Sequence, residues 1–202
     1  DELLQQIVEK ASKLQFGTGP GQLGPVIDTA SYNKILSYIE DAESSKILLD
    51  GRRSKQGNWI GPTIILHSSP KTDKAMKEEI FGPVLSVYKP STWEEAIEIE
   101  NTNTNYGNAA SIYTSNGGNA DWFIQRFHSS MLGINIGIPV PREPFSFGGL
   151  YGTNSKFGST TDITGDGGIE FFSNRIKVTS KWPLTKKRKL DVKDAANFAG
   201  QM

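Results

Sequence analysis

The chain has 202 residues, 22 Lys and Arg against 22 Asp and Glu, and no cysteine. Zero formal charge argues against a nucleic-acid or anionic-lipid binder driven by bulk charge, and the missing thiol excludes disulfides, thiolate metal sites and a cysteine nucleophile within these residues. Two isolated histidines, His67 and His128, make no His-rich zinc site, apolar runs such as Ile64–Leu66 are far too short to span a bilayer, and 36% apolar with 10% aromatic residues suffices for a core.

Leu3, Leu4, Ile7, Val8, Ala11 and Leu14 predict a first amphipathic helix over 1–14. That helix reads as already under way at Asp1, which suggests a start further upstream. Gly17, Gly19, Pro20, Gly21 and Gly24 end it in a loop. Ile35, Leu36 and Ile39 predict a second helix over 31–42, and short strands follow at 47–49 and 63–66. From Val84 the pattern becomes regular: a strand over 84–89, a helix over 92–101 with Ser91 and Glu94 as a capping box, a strand over 109–114, a helix over 120–127, and a strand over 132–136. Such an alternation predicts a parallel sheet with helical crossovers. Residues 107–168 hold 12 of the 21 glycines. Beyond them, Ile169–Val178 reads as a long strand, and the tail carries Lys186-Lys187-Arg188-Lys189, the composition of a solvated terminus.

Two motifs fail on context. Gly19-Pro20-Gly21-Gln22-Leu23-Gly24 matches G-x-G-x-x-G but follows a helix rather than a strand, so it reads as a helix-ending loop and not a dinucleotide fingerprint. The run from Asp162 to Gly167 starts like a calcium loop, but its twelfth position is Ser173 where a bidentate Glu is required.

Lys77-Glu78-Glu79-Ile80-Phe81-Gly82-Pro83-Val84 is different. Two carboxylates and an aromatic ring precede a Gly-Pro turn that delivers the chain into the regular region. A solvated Glu pair before a turn is the plainer reading of these residues. The other reading is a turn that presents one carboxylate and one ring to a cleft, where the carboxylate accepts two ribose hydroxyls and the ring walls a flat nicotinamide.

Glu78-Glu79-Ile80-Phe81-Gly82-Pro83-Val84 resembles the E-E-I-F-G-P-V signature of the aldehyde dehydrogenase superfamily. Five further segments resemble that family in its order: Gly24-Pro25-Val26-Ile27-Asp28 with the helix bearing Ile35 and Tyr38, Leu49-Asp50-Gly51 with Gly61-Pro62-Thr63-Ile64, Asn105 to Thr114, Gly133-Ile134-Asn135-Ile136, and Phe145-Ser146-Phe147-Gly148-Gly149. The loop Pro139 to Phe147 and the ending Thr179-Ser180-Lys181-Trp182 are most similar to methylmalonate-semialdehyde dehydrogenases.

The resemblance implies an α/β fold with a parallel sheet flanked by helices: a partial catalytic domain over 1–168, an oligomerisation strand over 169–183 and a polar tail over 184–202. It implies that Glu79 holds the nicotinamide ribose of NAD and Phe81 packs near the nicotinamide, and that Phe145 and Phe147 wall the aldehyde channel. It further implies coenzyme A as co-substrate, a small aldehyde substrate, a homodimer or homotetramer, and no nucleic-acid or membrane partner. The family's nucleophilic Cys, general-base Glu and oxyanion Asn fall in segments upstream of Asp1, so the chain by itself is expected to be inactive. The competing reading is a non-catalytic protein that keeps this fold for assembly or binding.

Overall fold

A computed structural model describes residues 1–43, 46–52, 57–103, 105–140, 145, 146, 164–174 and 176–180. Helix α1 (Glu2–Ser12) carries Glu2 in its first turn and Lys10 in its last, the signs that the helix dipole favours. Helix α2 (Thr29–Glu40) starts two residues before its predicted position because Asp28 caps it: the Asp28 carboxylate accepts from Ser31 N at 2.7 Å. That backbone hydrogen bond holds the Asp28 carboxyl below its ordinary range.

Strand β1 (Ile47–Leu49) pairs antiparallel with β2 (Thr63–Leu66), and β2 pairs in parallel with β3 (Val84–Val87). In the central strand β2, Thr63, Ile64 and Ile65 are all buried, as a strand covered on both faces requires. Ile35, Ile39 and Ile60 form the core beside this sheet, with Val26, Tyr32, Leu36, Ile47, Ile80 and Val84 packed against them. Where β1 leaves the sheet, Gly61 N donates to Gly51 O at 2.9 Å, and a Cβ on Gly51 would lie 2.1 Å from the Gly61 oxygen. Only glycine permits that approach.

Helix α3 (Trp93–Asn103) is capped one residue later than the sequence predicts. Thr92 Oγ1, not Ser91, accepts from Glu95 N at 3.1 Å, and Glu95 reaches back to Ser91 N at 2.6 Å. Tyr88 also donates to Glu95 at 2.9 Å. The Ser91 backbone bond, then the Tyr88 bond, hold the Glu95 carboxyl below its ordinary range. Strands β4 (Ala109–Ile112) and β5 (Met131–Ile134) form a second, parallel pair joined across helix α4 (Gly117–Arg126), whose Asn116 cap accepts from Gly118 N and Asn119 N. The parallel pairing predicted for this region is present. It is divided, however, because β3 takes β2 as its neighbour and the two sheets are separate.

The strand predicted over 169–178 is not formed. Residues 169–171 close helix α5 (Gly165–Phe171), and residues 172–174 and 176–180 carry neither helix nor strand. Apolar alternation does not by itself make a strand; the N–H and C=O groups need a neighbouring strand. Residues 1–171 form one unit. The second unit, 172–202, presents Phe172, Ile176 and Val178 at its surface.

Candidate functional site

Residues 67–83 join β2 to β3 and carry the paired carboxylates. The segment is tied down along its length. At its start His67 Nδ1 lies 3.0 Å from the Asp73 carboxylate, while the buried Nε2 has no partner among the described residues. A 3₁₀ turn (Lys74–Met76) follows. Ser86 Oγ donates to Ala75 O at 3.1 Å, and the Asn103 amide donates to Pro70 O and Met76 O.

The end of the segment docks on α2. Tyr38 is 1% exposed, and its hydroxyl donates to Glu78 Oε2 at 2.6 Å. Burial first, and the Glu78 carboxylate second, push the Tyr38 hydroxyl up to about 12. Lys34 Nζ donates to the Glu79 carbonyl at 3.3 Å, and Lys74 Nζ sits 4.8 Å from the Tyr38 ring centroid. Gly82 lies so close to the helix that a Cβ there would meet Ile35 Cδ1 at 2.5 Å.

This docking leaves Glu79 and Phe81 facing outward. The Glu79 carboxylate is exposed and makes no hydrogen bond or ion pair among the described residues. Phe81 is 78% exposed and holds φ at 59°, in the left-handed region that an aromatic residue seldom adopts. Beside the ring opens a cleft of about 630 Å³, walled by Val26 and Ile27 from the Gly-Pro loop before α2, by Ser31 and Lys34 from α2, and by Ile80 and Pro83. The aromatic face and the apolar wall can take a flat ring; Glu79, two residues before Phe81 in the chain, is exposed and does not line the cleft.

Of the other predicted site residues, Phe145 is 64% exposed and is not part of that cleft's wall; its neighbour Ser146 donates its N–H to the Asp166 carboxylate of α5 at 2.7 Å. Phe147 lies outside the described residues, as does the basic tail Lys186–Lys189. So does Asp162 of the failed calcium-like loop, and among the described residues no cluster of His, Cys, Asp and Glu could hold a metal ion. No helix among them is long and apolar enough to cross a membrane. Sequence reasoning gave no site role to Lys34 or to the Tyr38 hydroxyl. Their spacing along α2, with Ile35 between, puts all three on the side where residues 78–82 dock.

The sequence profile of the aldehyde dehydrogenase family matches residues 1–178. The chain belongs to that family. This aldehyde dehydrogenase segment is 37% identical over 192 residues to malonate-semialdehyde dehydrogenase 1 of Geobacillus thermodenitrificans, covering 90% of this chain and 38% of that protein. It is 39% identical over 189 residues to the human mitochondrial acylating methylmalonate-semialdehyde/malonate-semialdehyde dehydrogenase, covering 89% of this chain and 34% of that one. Among solved structures it is similar to the methylmalonate-semialdehyde dehydrogenase of Oceanimonas doudoroffii, with a TM-score of 0.80 and 35% identity over 92% of this chain and 39% of that one. It is also similar to the betaine aldehyde dehydrogenase of Staphylococcus aureus in complex with NAD+, with a TM-score of 0.67 and 26% identity over 75% of this chain and 31% of that one. The segment thus spans well under half the length of the relatives it matches.

Proposed function

We propose that the chain is the later part of an NAD-dependent aldehyde dehydrogenase of the acylating methylmalonate-semialdehyde type, and that Glu79 and Phe81 position the nicotinamide half of the cofactor. The observation that supports this reading is the docked 78–82 segment: it leaves the Glu79 side chain exposed and sets the Phe81 ring, two residues on, in the wall of a cleft. The malonate- and methylmalonate-semialdehyde names of the relatives support a short carboxylated aldehyde as substrate, and the word acylating in the human relative's name supports coenzyme A as the acyl acceptor.

In this reading the Glu79 carboxylate accepts hydrogen bonds from the two ribose hydroxyls. Phe81 and the Ile80–Pro83 wall exclude water from one side of the ring. NAD, when bound, supplies the hydride acceptor. The remaining chemistry belongs to a segment that this chain does not contain. There a thiolate adds to the aldehyde carbon, hydride leaves that carbon, and the resulting thioester passes its acyl group to coenzyme A or water. Phe145 and Phe147 wall the channel through which the aldehyde approaches. With no cysteine of its own, the chain provides positioning rather than a nucleophile.

The test is Glu79→Gln in the intact polypeptide that carries this chain. The amide holds the ribose less firmly, so the nicotinamide departs from attack geometry. Single-turnover hydride transfer is expected to slow by at least about tenfold, with aldehyde binding little changed. An unchanged hydride-transfer rate would return Glu79 to the status of a solvated turn residue and favour the binding-protein reading.

A further inference from the structure

We propose that Tyr38 is a positioning residue of the cofactor loop: the hydrogen bond from its buried hydroxyl to the Glu78 carboxylate anchors the segment and so sets how the following residues, Glu79 and Phe81, are presented. The inference rests on the cofactor role given to those two residues above, and deepens it by naming what aims them.

Four observations carry it. The donor is fixed, since Tyr38 is 1% exposed and buried in the last turn of α2. The bond is 2.6 Å long and ends on a carboxylate, the short charge-assisted kind. It does not act alone: Lys34 Nζ holds the Glu79 carbonyl at 3.3 Å, and Ile35 leaves room only for glycine at 82, so one side of one helix grips the segment before and after Phe81. Finally, Phe81 keeps φ at 59°, a conformation that persists only where the surroundings over-determine it.

The same geometry separates positioning from bulk stability. Glu78 is exposed, so water solvates its carboxylate well when the tyrosine lets go. The bond therefore contributes little to global folding. Its effect falls on where the next residue, Glu79, is held, and small displacements of a positioning group are costly to rate.

The experiment compares Tyr38→Phe, Glu78→Ala, Glu78→Gln and the Tyr38→Phe/Glu78→Ala pair. On the 202-residue chain, amide hydrogen exchange is read at residues 79–82 and in strand β2. On the intact polypeptide, KM for NAD, KM for the aldehyde and the single-turnover hydride-transfer rate are read. Tyr38→Phe and Glu78→Ala are each expected to speed exchange at 79–82 about tenfold with β2 unchanged, and to raise KM for NAD or slow hydride transfer about tenfold with KM for the aldehyde unchanged. Glu78→Gln keeps an acceptor for the tyrosine hydroxyl and is expected to stay within about twofold of wild type. The double variant is expected to be no worse than either single one. Exchange at 79–82 that does not respond, or loss of β2 protection with hydride transfer intact, overturns the proposal and leaves Tyr38 an ordinary core residue. If Glu79→Gln leaves hydride transfer unchanged, the cofactor reading itself falls, and the positioning role with it, so the two failures are distinguishable.

Discussion

Phe81 and Gly82 make opposite demands on neighbouring peptide units. Phe81 is held in a left-handed conformation that costs a bulky residue about 1–2 kcal/mol, and Gly82 is pressed against Ile35. The second contact secures the first. Gly82→Ala puts a methyl group at 2.5 Å from Ile35 Cδ1. It is expected to destabilise the chain by about 1–3 kcal/mol in urea unfolding, as overpacking does. Tyr38 adds a pH dependence. Its hydroxyl ionises near the ordinary tyrosine value in the unfolded chain and at about 12 in the folded one. Between those values the folded chain keeps a proton that the unfolded chain has lost. The stabilisation is thus complete below about pH 10 and is lost as pH rises toward 12. Denaturant midpoints read across that interval should fall for the wild type and stay flatter for Tyr38→Phe; equal slopes would remove Tyr38 as the source. At this scale the sequence singled out Glu79 and Phe81 as candidates, because seven adjacent residues, Glu78 to Val84, resemble a family signature. The Tyr38 hydroxyl was not legible, because its partner Glu78 lies 40 residues away and only the fold brings them together.

At the scale of elements, local signals succeeded where the chain decides by itself and failed where a neighbour decides. The capping box of α3 shows a near miss of the first kind. Ser91-Thr92 offers two hydroxyls and Glu94-Glu95 two carboxylates, so the pattern fits two registers one residue apart. The structure selects Thr92 with Glu95, and Tyr88 on the same carboxylate favours that register. Thr92→Ala is accordingly expected to cost about 1 kcal/mol in thermal or urea unfolding, and Ser91→Ala much less. Equal losses would mean that both registers are used. The region 169–178 shows the second kind of failure. Its Phe and Ile content suits a strand, yet the sequence contains no information on what the strand would pair with. The division between the β1–β2–β3 sheet and the β4–β5 pair was hidden for the same reason.

For the whole molecule, the unit 172–202 presents Phe172 at 83%, Ile176 at 84% and Val178 at 81% exposure. Apolar side chains clustered so closely along a surface segment favour contact with another surface. We predict that the chain self-associates through residues near 172–178, as the family resemblance implies for a homodimer or homotetramer. Light scattering on the wild type should report a mass above that of one 22.2 kDa chain. Ile176→Lys with Val178→Lys should return it to one chain. A wild type that stays monomeric at high concentration would refute the prediction for this chain.

Three asparagine side chains have a bearing on how the protein ages. Asn101 donates to Arg126 O and accepts from His128 N, Asn103 donates to Pro70 O, and Asn135 donates to Thr114 O while accepting from Thr114 N. Each amide satisfies backbone groups at a helix end or in a loop, outside the strand ladders. Asparagine is also among the heat-labile residues. Hydrolysis to aspartate would convert each donor into an acceptor facing a carbonyl oxygen. Slow chemical damage during storage or prolonged heating would therefore unpick the seams between elements while leaving the apolar core intact. One of those seams, at Asn103, holds the segment that carries Glu79.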